Sequence, residues 1–330
     1  MKVILLDQPF ARLVMPIMLS VFLLNPLGAQ TEPEYRVEWL AEFPPASGHG
    51  KASFGDRVSR ILFGKKAQEV IKPFNVQAIG PRHFWILDQG AGGVYEVRGG
   101  KGSALKSLKK SEHTYPSLVG LCRTKGGDLL ISDSRLNQVL LSRGDQMGIF
   151  GDSLALQQPT GLACDPESGH IWIVETGAHR ISQFDRDGQL ISRMGGRGTT
   201  PGRFNYPTFI WIDGKGNIYV VDSMNHRIQM FNARGDFLGT FGEPGDASGY
   251  MGRPKGIATD SRGHIYVADA LFHVVQIFDE QGNFLSSFGN QGQGQGEFWM
   301  PTGLFIDAED HIYVADSYNA RIQIFKLEKQ

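Results

Sequence analysis

The sequence predicts an all-β fold: a six-bladed β-propeller of four-stranded antiparallel blades, its ring closed by the N-terminal strand pairing with the last blade. Three observations predict it. Asn217-Ile-Tyr-Val-Val-Asp222, His264-Ile-Tyr-Val-Ala-Asp269 and His311-Ile-Tyr-Val-Ala-Asp316 are near-copies spaced 47 residues apart, a period that marks a propeller, solenoid or array. Each sits among three further short runs of branched and aromatic residues, bounded by Gly, Asp and Asn and without helical periodicity. Followed backwards, the series counts to six.

Within one repeat the first run opens at a proline, as in Pro207-Thr-Phe-Ile-Trp-Ile, Pro254-Lys-Gly-Ile-Ala-Thr and Pro301-Thr-Gly-Leu-Phe-Ile. A polar turn such as Asp213-Gly-Lys-Gly-Asn217 leads to the Ile-Tyr-Val-x-Asp run, which is the second strand. Arg227 to Phe231 and Arg321 to Phe325 read as third strands, and Phe237 to Phe241 and Phe284 to Phe288 as fourth strands. Four strands in about 40 to 47 residues make one blade. Weaker copies start at Pro159, Pro116 and Pro73, with second strands ending at Glu175, Asp133 and Asp88. The sixth copy stops after its third strand. Tyr35 to Phe43 reads as the missing outer strand, and its pairing there would leave no open edge.

These residues resemble the NHL repeat family, named for an Asn-His-Leu triplet that survives best as Asn225-His226-Arg227, with Ile228 after it. The resemblance spans nearly all of the chain after its first 29 residues. It implies a six-bladed propeller and little about activity, because the family includes binding modules, sensor domains and a few lyases. Exported bacterial members are the most similar. They are often encoded beside exported multihaem cytochromes, so the resemblance implies a structural role in an envelope redox assembly. No Cys-x-x-Cys-His haem motif occurs, and no cofactor is expected.

Residues 1–29 read as a signal peptide. Lys2 and Arg12 precede the apolar stretch Leu13 to Leu24, and Ala29 ends a short small-residue region. The stretch is too short to span a bilayer, so the mature chain, residues 30–330, is expected to be one exported propeller domain without a membrane span. Its destination is the periplasm or the cell exterior. A formal net charge of -1 argues against a nucleic-acid binder. Charge is uneven, however: residues 51–110 hold 12 Lys or Arg against 4 Asp or Glu, and residues 201–330 hold 10 against 15. An anionic glycan or cell-wall partner would suit the basic stretch. The two cysteines, Cys122 and Cys164, align at one inner-strand position of neighbouring blades. With a sheet spacing of about 10 Å between them, both are expected to be unpaired, buried side chains.

Several residue series imitate active sites. His179, His226 and His273 fall in register, as do His170, His264 and His311. All lie too far from the axis to share a metal whose ligands must sit about 2.1 Å from it, so they are expected to be turn residues. The lyases of the resembling family place histidines near the axis. Here the positions beside the innermost strands read Phe74, Ser117, Thr160, Thr208, Lys255 and Thr302, and no metal site is expected. Asp88, Asp133, Glu175, Asp222, Asp269 and Asp316, one per blade, have the spacing of a structural device, with Arg180, Arg227 and Arg321 placed to pair with three of them. Gly289 to Gly296 returns to a strand rather than opening a helix, so it reads as an inter-blade loop and not a phosphate cradle.

Function is then a matter of faces. Because strands alternate in direction, turns between second and third strands share a face with the inter-blade connections; the other turns share the opposite face. The second face carries short polar turns. The first face presents Met224, Leu271, Phe272 and Tyr318 on turns, Tyr206, Tyr250 and Trp299 on connections, and Lys255 at an inner-strand start. Phe204 and Phe298, three residues before the repeat's proline, are expected to wedge between blades. Exposed aromatic and Met side chains suit partner recognition, so an exported, non-catalytic scaffold binding a protein partner is expected. The rival is a small-molecule lyase or hydrolase acting in the central channel, for which Lys255 is the charged candidate.

Overall fold

The computed structural model describes residues 35–45, 70–110, 114–151 and 155–329. The expected signal peptide and the basic stretch from 51 to 69 lie outside them. β1 (Tyr35–Phe43) comes first in the chain. The first blade contains β2 (Pro73–Gly80), β3 (His83–Asp88), β4 (Gly93–Arg98) and β5 (Lys101–Ala104), followed by the short helix α1 (Lys106–Lys110). The second contains β6 (Leu118–Arg123), β7 (Leu129–Asp133), β8 (Gln138–Arg143) and β9 (Gln146–Ile149). The third contains β10 (Pro159–Cys164), β11 (Ile171–Glu175), β12 (Arg180–Phe184) and β13 (Leu190–Gly195). The fourth contains β14 (Pro207–Ile212), β15 (Ile218–Asp222), β16 (Arg227–Phe231) and β17 (Phe237–Phe241). The fifth contains β18 (Pro254–Thr259), β19 (Ile265–Asp269), β20 (Val274–Phe278) and β21 (Phe284–Phe288). The sixth contains β22 (Pro301–Ile306), β23 (His311–Asp316) and β24 (Arg321–Lys329).

Each blade is a separate four-stranded sheet, and the sixth has the order β1-β24-β23-β22. β1 runs antiparallel to β24 from Tyr35 opposite Lys329 to Phe43 opposite Ile322. The expected closure is therefore present: the chain's first described strand is the last blade's outer strand. Arg321 fastens it further, its guanidinium meeting Glu42 at 2.8 Å.

The core lies between blades rather than within them. One cluster joins the second and third blades through Leu130, Val139, Phe150, Leu162, Ile173 and Phe184, and five more repeat the arrangement around the ring. Phe204 and Phe298 are fully buried wedges at two of these seams, as expected, and Met251 fills the same position at a third. Each wedge needs a glycine beneath it. A Cβ on Gly195 or Gly289 would come within 2.7 or 2.4 Å of the Phe204 or Phe298 ring, and both glycines have positive φ.

Two register details correct the sequence reading. Leu118, not Pro116, faces the acidic residue of the second blade, as the prolines do in the others. The position equivalent to Thr160 is therefore Val119, and Ser117 sits one step outside the inner strand. The cysteines are bonded to each other, with their Cα atoms 5.8 Å apart. Cys122 pairs across to Leu130 and so matches Ala163, which pairs to Trp172; Cys164 lies one residue further along. A one-residue offset in a strand turns the side chain to the opposite face. Cys122 and Cys164 thus point into the same gap from its two sides, close to the axis, where the blades converge.

Candidate functional site

The first face carries the predicted site residues. Met224 is 58% exposed, and Leu271 and Tyr318 each 56%. Tyr206, Tyr250 and Trp299 are exposed as well, and Phe272 is half-buried. Some are brought together and some are not. Trp299 and Tyr318 stand with ring centroids 5.9 Å apart, and the Lys72 ammonium lies 5.3 Å from the centre of the Tyr318 ring. Tyr206 instead packs on His179, at 4.4 Å between ring centres. Sequence reasoning missed Ile71 (54% exposed) and Leu136 (40%) on this face. Ile71 occupies the connection position that Trp299 holds, two residues before the proline, so the repeat register could have found it.

Beneath this surface the acidic series does structural work. All six carboxylates are fully buried. Each accepts a backbone N–H from the segment entering its own blade: Ile71 to Asp88, Ser117 to Asp133, Gln157 to Glu175, Asn205 to Asp222, Gly252 to Asp269 and Trp299 to Asp316. Arg180, Arg227 and Arg321 pair with Glu175, Asp222 and Asp316 at 2.8 Å. Burial pushes Asp316 up, against the opposing bonds from Trp299, Asn319 and Arg321. Burial would raise Glu175 too, but Arg180, Ser182 and the Gln157 amide together hold it below the ordinary carboxylate value. These groups hold loops in place and face no open space.

The histidines are turn residues in the same sense. His179, His226 and His273 all have positive φ. Nδ1 of His179 accepts from the Tyr206 amide, Nδ1 of His273 from the Met300 amide, and His226 donates to the Met251 carbonyl. Each thus ties one blade to the next connection. Among the described residues, one carboxylate and imidazole group converges closely enough to hold a cation: Asp307, Glu309 and His311. Asp307 already accepts from the amides of Glu309 and His311, from His311 Nδ1 and from the Tyr313 hydroxyl. Asp260, His264 and Tyr266 repeat the arrangement one blade earlier, which marks it as a turn clasp.

A concavity opens on the second face. It is a funnel of about 520 Å³ among the C-terminal ends of the inner strands, within the size range of small-molecule sites. Val76, Leu121, Leu162, Ile210, Ile257 and Leu304, one from each blade, form an apolar collar. Trp211 and Phe305 add an aromatic wall, their rings 5.3 Å apart, with the Trp211 indole N–H bonded to Thr259. The funnel is blind. Phe209 forms its floor, and Phe74, from the opposite blade, stacks on it at 5.7 Å across the axis. The inner strands close in around this plug. Cβ atoms on Gly120, Gly161, Gly256 and Gly303 would all fall within 2.6 Å of a neighbouring strand's backbone. Sequence reasoning overlooked the funnel because its collar residues are ordinary strand hydrophobics whose convergence is a property of the ring.

Lys255 lies on β18 two residues before the collar and does not line the funnel; it belongs to the first-face side of the plug. It is half-buried, and burial, with Arg253 nearby, lowers its ammonium to about 8.

No curated protein matches this sequence. A family described as "6-bladed beta-propeller" matches residues 164–256 and 248–330. Among solved structures, an auxiliary nutrient binding protein from Bacteroides ovatus superposes with a TM-score of 0.62 at 14% identity, over 79% of this chain and 70% of that one. A gluconolactonase from Xanthomonas campestris gives 0.61 at 15%, over 79% and 89%. A catalytically inactive virginiamycin B lyase from Staphylococcus aureus, with quinupristin, gives 0.58 at 15%, over 89% and 99%. At such identities the likeness is one of fold.

Proposed function

Because this chain belongs to the 6-bladed beta-propeller family, whose fold prescribes no chemistry of its own, we propose that it is an exported, non-catalytic recognition propeller that captures a protein partner on its first face. One observation carries the reading: Ile71, Met224, Leu271 and Tyr318, from four different blades, are each more than half exposed on a single face. Large apolar side chains gathered in this way are costly to leave in water and suit a partner interface. Lys255, charged at neutral pH and near the axis of the same face, offers a central anchor for a partner's carboxylate. Export is supported by the character of residues 1–29 and by the Cys122–Cys164 bond, since disulfides persist in oxidising compartments. An envelope redox assembly remains the context suggested by the NHL resemblance.

The test is capture from an envelope fraction by the wild-type chain and by a Met224→Ser, Leu271→Ser, Tyr318→Ser variant. The reading expects capture to fall at least tenfold, as loss of interface anchors of about 1 kcal/mol or more each would give, with the melting temperature within about 2 °C of the parent. Undiminished capture would refute it.

A further inference from the structure

The funnel on the second face plays no part in that reading, and its make-up is unlike that of a solvent-filled channel. Its collar is apolar in all six blades, and its floor and one wall are aromatic. The single indole N–H inside is already bonded to Thr259. Inside, Asn75 is committed to the Val76 amide and the Val119 carbonyl, and Gln77 to the Ala78 carbonyl. At the rim stand Arg123, Thr124 and Lys125 of the second blade and Asp307 of the sixth. These rim groups are not equivalent. Asp307 is committed to the Tyr313 hydroxyl, to His311 and to two backbone amides. Lys125 donates to the Glu167 carbonyl. Arg123 is exposed, and among the described residues its guanidinium has neither an ion pair nor a hydrogen bond. Among the described residues, the mouth therefore offers one free cation beside a well with an apolar collar and an aromatic wall.

We propose that this funnel binds a small amphipathic anion. Its flat apolar body would lie within the six-residue collar against Trp211 and Phe305, and its one carboxylate or sulfonate would meet Arg123 at the rim. The size class follows from the volume. The sign of charge follows from the unpaired guanidinium, which suits planar oxyanions. The apolar body follows from the walls, since a polyhydroxylated ligand of the same size would leave its hydroxyls unbonded against the collar. The disulfide borders the cavity and ties two of its six walls together, so the well is held open in advance of binding.

The probes are 8-anilinonaphthalene-1-sulfonate, an aromatic anion, and its uncharged relative N-phenyl-1-naphthylamine, titrated into the full chain by calorimetry and by quenching of tryptophan emission. One site per chain is expected for each. Arg123→Gln should weaken the anion about fivefold, the scale of one exposed charge pair, and leave the uncharged probe unchanged. Trp211→Ala should weaken both. Arg123 is a surface residue, so its variant keeps the test decisive should Trp211→Ala fail to fold. Absence of saturable binding would overturn the proposal. So would equal affinity of the anion for wild type and Arg123→Gln, or displacement of the probes by Met224→Ser and Leu271→Ser on the other face.

Discussion

Lys255 occupies a position that three other blades give to threonine, and the comparison shows what it lacks. Thr160 donates to the Thr208 carbonyl of the next blade and Thr302 to the Phe74 carbonyl, each also sharing a bond with a hydroxyl that follows the blade's acidic residue. In the fifth blade that following residue is Ala270, and among the described residues Lys255 has no such bond. A half-buried ammonium without a partner costs stability while it is charged. Its folded value of about 8 lies below the ordinary 10.5, so between those values the unfolded chain binds more protons than the folded one. Stability of the parent should therefore rise as pH climbs from about 8 to about 10.5. Lys255→Thr should raise the melting temperature by about 2 °C at pH 7, equivalent to roughly 1 kcal/mol, and the gain should fade across that window. A gain that is the same at pH 7 and pH 10 would show that charge is not the cause.

At the scale of the element, the closing strand carries the largest single risk to the fold. β1 covers the outer edge of β24 over nine residues, and its Val37 and Trp39 pack into the seam shared by the fifth and sixth blades. Deleting residues 30–45 should abolish cooperative unfolding, because it bares an edge and opens the ring at once. Circular dichroism melting resolves the matter, and a truncated protein that melts like its parent would contradict the role assigned to β1. This strand was legible in the sequence because the sixth repeat visibly lacks its fourth run. The offset in the second blade was not. Pro116 imitates the repeat's proline, and only the pairing of Leu118 with Asp133 reveals the true register. A different offset concealed the disulfide: the hairpin joining the first two strands is one residue shorter in the second blade than in the third, so alignment on the acidic residues misleads. Repeat alignment placed Cys122 and Cys164 at equal positions, whereas the strand ladder sets them one residue apart, on opposite faces. Residues exposed on turns, such as Met224 and Tyr318, could be assigned to a face from strand direction alone. The funnel could not, since it depends on how six inner strands converge.

For the whole molecule, the Cys122–Cys164 bond joins the second and third blades and closes a loop across 42 residues of sequence. In the chain-entropy account such a link is worth about 2–4 kcal/mol. Replacing both cysteines by alanine should lower the melting temperature by about 5 °C, and a reductant should do the same to the parent and nothing to the variant. An unchanged melting temperature in the variant would mean that the ring's other contacts already hold these blades. The stacked pair Phe74 and Phe209 has a different bearing on the molecule. Because rings from opposite blades meet on the axis, the disc is a partition rather than a pipe. A solute admitted on one side has no straight passage to the other, so the two sides can serve separate occupants at once. Any crosstalk between them must run through the sheets themselves.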